Sequence, residues 1–257
     1  MAKRKNKNIG WKLLLGVLIA AVLVLSGFWF YEWWMERRAH FARYAAFGID
    51  IPINYSIHGI DVSKYQEIID WESVKAMNVE DVHIEFAFIK ATEGNVNTDR
   101  YFKRNWKKAT DAGITKGAYH FFIATRNGKL QAENFISCVD LSTGDLPPVL
   151  DVEQTYGVPP DKLRERVKEF LITVENHYGV KPIIYTNVDF YAQYLKDEFD
   201  DYPLWVAHYL QKERPRIYRP WQFWQHSETG RVNGIIYRVD FNVFSGDSTE
   251  FSKLLVP

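Results

Sequence analysis

From Ile57 onward the chain alternates short apolar runs with stretches of helical period, and after Asp201 that alternation stops. Residues 58–62, 84–90, 117–122, 148–153 and 182–186 read as strands. Each is followed by a helical stretch, at 71–77, 100–112, 129–139, 160–177 and 190–195. Strands alternating with helices at this spacing call for a parallel sheet. Three further runs, 204–209, 222–225 and 239–244, have strand character, but nothing of helical length lies between them. About eight strands, the last three without intervening helices, predict an α/β fold: an irregular β/α barrel over residues 56–257, with its site at the C-terminal ends of the strands.

Polar residues fall at those ends. Asp61 closes the first strand, Tyr119 and His120 lie in the third, and Asp151 and Glu153 end the fourth. Tyr185 ends the fifth, and Trp205, Gln225 and Asp240 belong to the last three. The pair Asp151-Val152-Glu153 is the most telling. On a strand, positions i and i+2 face the same way, so both carboxyls project together. Two carboxyls so close do not ionise independently, and one is pushed upward, leaving a proton donor beside an anion. That equipment cleaves glycosidic bonds. Taken alone, a D-x-E is equally two solvated or ion-paired carboxylates at a strand end.

The N-terminus has a separate character. Residues 13–31 carry no charge and follow Lys3, Arg4, Lys5, Lys7 and Lys12. Nineteen such residues suffice for a transmembrane helix. The basic residues 1–12 then stay cytoplasmic and the remainder lies outside, giving a single-pass protein of the cytoplasmic membrane. The bilayer is the expected partner of residues 13–31, with Trp29, Phe30, Tyr31, Trp33 and Trp34 at its outer interface. A cleaved signal peptide, leaving a secreted protein, is the alternative. Residues 32–55 read as a juxtamembrane connector, partly helical over 32–47 through Met35, Ala39, Phe41, Ala42 and Tyr44.

The net charge of zero conceals an asymmetry. Residues 44–257 hold 24 basic and 30 acidic residues, a net of −6, which argues against a nucleic-acid partner. One cysteine, Cys138, excludes an internal disulfide. His120, His208 and His226 show no ligand spacing, so no metal and no cofactor are expected.

Taken together, the strand-end motifs resemble those of family 25 glycoside hydrolases, the Chalaropsis-type lysozymes. The resemblance spans residues 58–247: G-I-D-V-S-K-Y-Q at 59–66, F-I-K-A-T-E-G at 88–94, A-G-I-T-K-G-A-Y-H-F-F at 112–122 and P-V-L-D-V-E at 148–153. It continues through P-I-I-Y-T-N at 182–187, L-W-V-A-H-Y at 204–209, W-Q-H at 224–226 and V-D-F-N-V-F at 239–244. It implies an N-acetylmuramidase acting on peptidoglycan glycan strands, between N-acetylmuramic acid and N-acetylglucosamine. Glu153 would be the acid/base, with Asp61, Asp151 and Asp240 as the other acidic residues of the cleft. Tyr119, Tyr185, Trp205 and Gln225 would line its sugar groove. The bulky pair Tyr237-Arg238 departs from the smaller residues of many relatives and bears on fine specificity. Two other readings stand beside this one: a catalytically silent wall-binding scaffold, and a glycosidase for another N-acetylated polymer such as chitin. Carboxyl spacing on a strand leaves retaining, inverting and substrate-assisted routes all open.

Overall fold

The structure, a computed structural model, describes residues 8–36, 40–209, 211 and 214–257. The chain divides into two compact units, residues 1–40 with 212–214, and residues 41–211 with 215–257.

The first unit is built on one helix, α1 (Asn8–Glu36). Every side chain from Trp11 to Trp34 is exposed, and these 24 residues are long and apolar enough to cross a membrane. At a rise of 1.5 Å per residue they span about 36 Å, against a hydrocarbon core of about 30 Å. A signal sequence meets the same description. Of the basic cluster, Lys3, Arg4, Lys5 and Lys7 lie outside the described residues.

The second unit begins with strands where a partly helical connector was expected. α1 ends at Glu36, and β1 (Phe41–Tyr44) pairs antiparallel with β2 (Ile49–Pro52). Ala39, placed on the expected helical face, lies outside the described residues. The turn closes through Gly48, whose N–H donates to the Tyr44 carbonyl at 2.9 Å and whose φ is 71°. Glycine reaches that left-handed region without penalty. The stretch over 41–52 is thus extended rather than helical.

Eight strands close the barrel: β3 (His58–Val62), β5 (Val82–Glu93), β7 (Thr115–Phe121), β8 (Val149–Asp151), β9 (Ile183–Asn187), β10 (Leu204–Ala207), β11 (Phe223–Gly230) and β12 (Val239–Phe244). Two short segments, β4 (Asn78–Val79) and β6 (Asn97–Thr98), pair with the ends of β5. In the ring, β3, β5, β7, β8, β9, β10 and β11 follow one another in parallel pairings. β12 is antiparallel to both β11 and β3 and closes the ring. The reason is its connection: with no crossover helix between 231 and 238, the chain can only turn back as a hairpin.

The crossovers are α2 (Trp71–Ala76), α3 (Phe102–Asp111), α4 (Gly128–Cys138), α5 (Pro160–Tyr178) and the short α6 (Val188–Phe190), continued as a π-helical turn over Tyr191–Leu195. A final helix, α7 (Ser248–Leu254), was not legible in the sequence. A capping box between Asp247 and Glu250 starts it. It presses Phe251 against Phe86 and Phe244, at ring separations of 5.8 and 5.1 Å.

Aromatic rings fill the barrel interior. Phe88 stacks on Trp205 at 4.4 Å, and Phe223 meets both Phe86 and Phe88 at 5.1 Å. Gly59 makes room for this packing, since a Cβ there would sit 2.4 Å from the Phe86 ring. Outside the ring, β11 and β12 lack a helix to cover them. The β1–β2 hairpin does that work: Phe47 packs on Phe241 at 5.3 Å, Phe41 meets Trp224 at 5.9 Å, and the Arg231 N–H donates to the Phe47 carbonyl.

Candidate active site

The parallel strands deliver Asp61, Tyr119, Asp151, Tyr185 and Gln225 to one end of the barrel, and Asp240 joins them from the start of the reversed β12. In register, Asp240 lies opposite Asp61, and Asp151 beside Tyr185. Glu153 stands two residues beyond the end of β8 and remains partly exposed, whereas Asp151 is buried. The intervening Val152 is fully buried in the outer core, as the alternation requires.

A polar floor holds Asp61. Its Oδ2 accepts from Gln225 Nε2 at 2.7 Å and from Asn242 Nδ2 at 2.8 Å. Gln225 Oε1 accepts in turn from the Tyr185 hydroxyl at 2.7 Å and from the Tyr209 hydroxyl. Asn242 Oδ1 accepts from Trp205 Nε1 at 2.7 Å. Asp61 is therefore dressed as an anion, yet burial lifts its pKa to about 6 against the opposing pull of those hydrogen bonds. Asp240 rises further, to about 9, through burial first and then the Asp61 charge and the hydrogen bond it gives to Asp61. The two carboxyls therefore share a proton.

Asp151 and Glu153 form the second acidic pair. Burial pushes the Asp151 carboxyl well above the usual carboxylate range, with the Glu153 charge as the next cause. Its Oδ1 is buried and has no hydrogen-bond partner among the described residues. Glu153 is also raised, first by burial and then by Asp61. One cation opposes these shifts. Lys90 lowers both carboxyls of the pair, held at 2.7 Å from Glu93 Oε2 and 4.6 Å above the Phe121 ring.

The four acids and the expected tyrosines share one electrostatic neighbourhood. Burial and the charges of Asp61, Asp151 and Asp240 raise the Tyr119 hydroxyl; Tyr185 responds to burial, Tyr209, Asp151, Asp61 and Glu153. Trp205 and Gln225 were expected to line a groove, but both are 2% exposed and lie beneath the floor. They position Asn242 and Asp61 rather than offering a surface.

This geometry coincides with a family match. The sequence pattern of the glycosyl hydrolases family 25 fits residues 60–235. The chain belongs to that family. Family 25 membership makes it a glycoside hydrolase. Its relatives include Lysozyme M1 of Streptomyces globisporus, 34% identical over 213 residues, covering 77% of this chain and 71% of the relative. The Uncharacterized protein YegX of Escherichia coli strain K12 is 47% identical over 210 residues, covering 82% and 77%. Among solved structures, a family 25 glycosyl hydrolase from Bacillus anthracis superposes with a TM-score of 0.72 at 34% identity, covering 82% of this chain and 99% of that one. The bacterial lysozyme from Streptomyces coelicolor gives 0.70 at 33% identity, covering 77% and 96%.

Several residues of this family 25 site were missed by sequence reasoning. Asn242 stands two positions after Asp240 on β12, so the strand alternation alone points it at the same floor. Tyr209 follows β10 and closes on Gln225. Tyr156 left no usable signal. It is 45% exposed, with a φ of 51°, and burial together with Glu93, Glu153 and Asp151 raises its hydroxyl. His120 is a fully buried core residue, bonded to Thr92 Oγ1 at 2.7 Å and to Gln131 at 3.2 Å.

Proposed function

We propose that this chain is a membrane-anchored 1,4-β-N-acetylmuramidase that cleaves peptidoglycan between N-acetylmuramic acid and N-acetylglucosamine. The observation that carries the reading is the Asp151–Glu153 pair: two carboxyls of raised pKa, the deeper one with an oxygen that has no partner among the described residues. The lysozyme relatives support the substrate class. The apolar helix α1 supports the anchor, with the barrel on the outer side where peptidoglycan is found.

Both carboxyls of the resting pair are raised, so the pair holds a proton. Arrival of the substrate's 2-acetamido N–H at the free Asp151 oxygen stabilises its anionic form, and the proton passes to Glu153. Glu153 then protonates the glycosidic oxygen as the bond to C1 breaks. The acetamido carbonyl oxygen closes on C1, giving a cyclic cation whose ring N–H remains hydrogen-bonded to the Asp151 carboxylate. Water, deprotonated by Glu153, opens the ring at C1 and restores the acid. This is the substrate-assisted route, with Asp61 and Asp240 fixing the charge around the pair and Tyr119 and Tyr185 bordering it. Tyr185, Gln225 and Trp205 hold the floor.

Full-length protein in detergent, incubated with purified cell-wall sacculi, tests the assignment of Glu153. Soluble muropeptides are expected from the unmodified chain. Glu153→Gln should reduce their release about 10²–10⁴-fold while leaving binding to sacculi intact. Equal release by both proteins would remove Glu153 from the acid's role. Binding without release by either would favour the silent scaffold.

A further inference from the structure

The floor of the cleft is acidic, and the segments that flank the β3–β12 seam carry two exposed cations, Arg238 and Lys64. Arg238 immediately precedes β12, two residues before Asp240 in the chain. Its Nη1 donates to the Thr229 carbonyl at 3.1 Å, and the residue is exposed. Across the seam stands exposed Lys64, with its Nζ 5.5 Å from the Tyr65 ring centroid. Among the described residues neither cation forms an ion pair, unlike Lys90, Arg164 or Arg219. One side chain ties the two segments together: Gln66 accepts from the Ser63 N–H at 2.9 Å and donates to the Arg238 carbonyl at 2.8 Å.

Apolar surface surrounds these cations. Ile236 is 89% exposed, Tyr65 70% and Tyr237 46%. Next to them opens a cavity of about 500 Å³ with Ile68, Ile236, Arg104 and Lys108 in its walls. Asp70 and Glu72 also border it, and the Asp70 carboxylate caps α2 and bonds Ser73. Unpaired cations beside exposed apolar side chains, set at the lip of an acidic cleft, suit a ligand that carries both carboxylates and small apolar groups.

We propose that Arg238 and Lys64, with Tyr237 and Ile236, recognise the carboxylates and apolar side chains of the short peptide on the lactyl group of muramic acid. This rests on the muramidase reading. It makes the enzyme selective for peptide-bearing strands over bare glycan. The bulk of Tyr237-Arg238 then serves as a contact for the peptide rather than a narrowing of a sugar subsite.

The test compares full-length protein on two substrates: intact glycan strands bearing stem peptides, and the same strands stripped of peptide by an amidase. The readout is the ratio of the two kcat/KM values. Arg238→Glu should lower this ratio about tenfold, the scale of one charge-assisted hydrogen bond, and Arg238→Lys should restore most of it. The thermal midpoint reports on folding of each variant. A ratio unchanged by Arg238→Glu, or an equal loss on both substrates, would overturn the proposal while leaving the muramidase standing. Failure of the unmodified enzyme on both substrates would overturn the muramidase reading and this one with it.

Discussion

Asp240 on β12 stands in register with Asp61 on β3, and a hydrogen bond between their carboxyls holds a shared proton. The antiparallel turn of the last strand creates this pair. Asp61 sits at the C-terminal end of its strand and Asp240 near the start of its own, so only a reversed β12 brings both to the same rim.

The pair has a cost in stability that pH reveals. Both carboxyls have folded pKa values above the unfolded value, Asp61 at about 6 and Asp240 at about 9. The folded state therefore binds protons more tightly than the unfolded state. Its stabilising contribution is complete below about pH 4 and is lost as pH rises from there to about 9. Asp240→Asn should flatten this part of the stability profile and add about 0.5–2 kcal/mol at pH 7, with a loss of activity. Urea melts at pH 5, 7 and 9 check it. An undiminished slope in the variant would contradict the shared-proton account.

Lys90 tunes the second pair. It is the cation that holds the Asp151 and Glu153 carboxyls down. Without it their pKa values rise, so the alkaline limb of kcat/KM, where the acid loses its proton, moves to higher pH in Lys90→Met. Muropeptide release measured from pH 4 to 10 reads the limb directly. A limb that stays in place, or moves to lower pH, would separate Lys90 from the acid.

The hairpin is part of the barrel's stability. Phe47 is fully buried against Phe241, over strands that no helix covers. Phe47→Ala should destabilise the barrel by about 3–5 kcal/mol, seen as a lower urea midpoint. A loss under 1 kcal/mol would mean that the hairpin is only a tether.

Much of this was legible in the sequence because β-strands advertise themselves at both levels. The five strand–helix repeats and the three bare strands each carry a buried apolar run, and the strand-end acids Asp61, Asp151 and Asp240 follow from strand position. The hairpin escaped because Phe41, Tyr44 and Phe47 recur at a spacing of three, which reads as a helix face. Tertiary contact with Phe241 and Trp224 decides otherwise. The seven residues of α7 were too few for a periodic signal. The floor network eluded sequence reasoning for another reason. Whether Trp205 and Gln225 lie on the cleft or under it depends on how deep each strand sits in the ring, and a residue pattern carries no depth.

The measurement that meets the central claim most directly is the identity of the sugar at the new reducing end. Sacculi digested by the full-length protein are reduced with borodeuteride, hydrolysed and analysed by mass spectrometry. The account predicts deuterated muramitol from the unmodified chain and almost none from Glu153→Gln. Deuterated glucosaminitol in its place would mean that the enzyme cuts the other bond of the strand, and the muramidase assignment would fall.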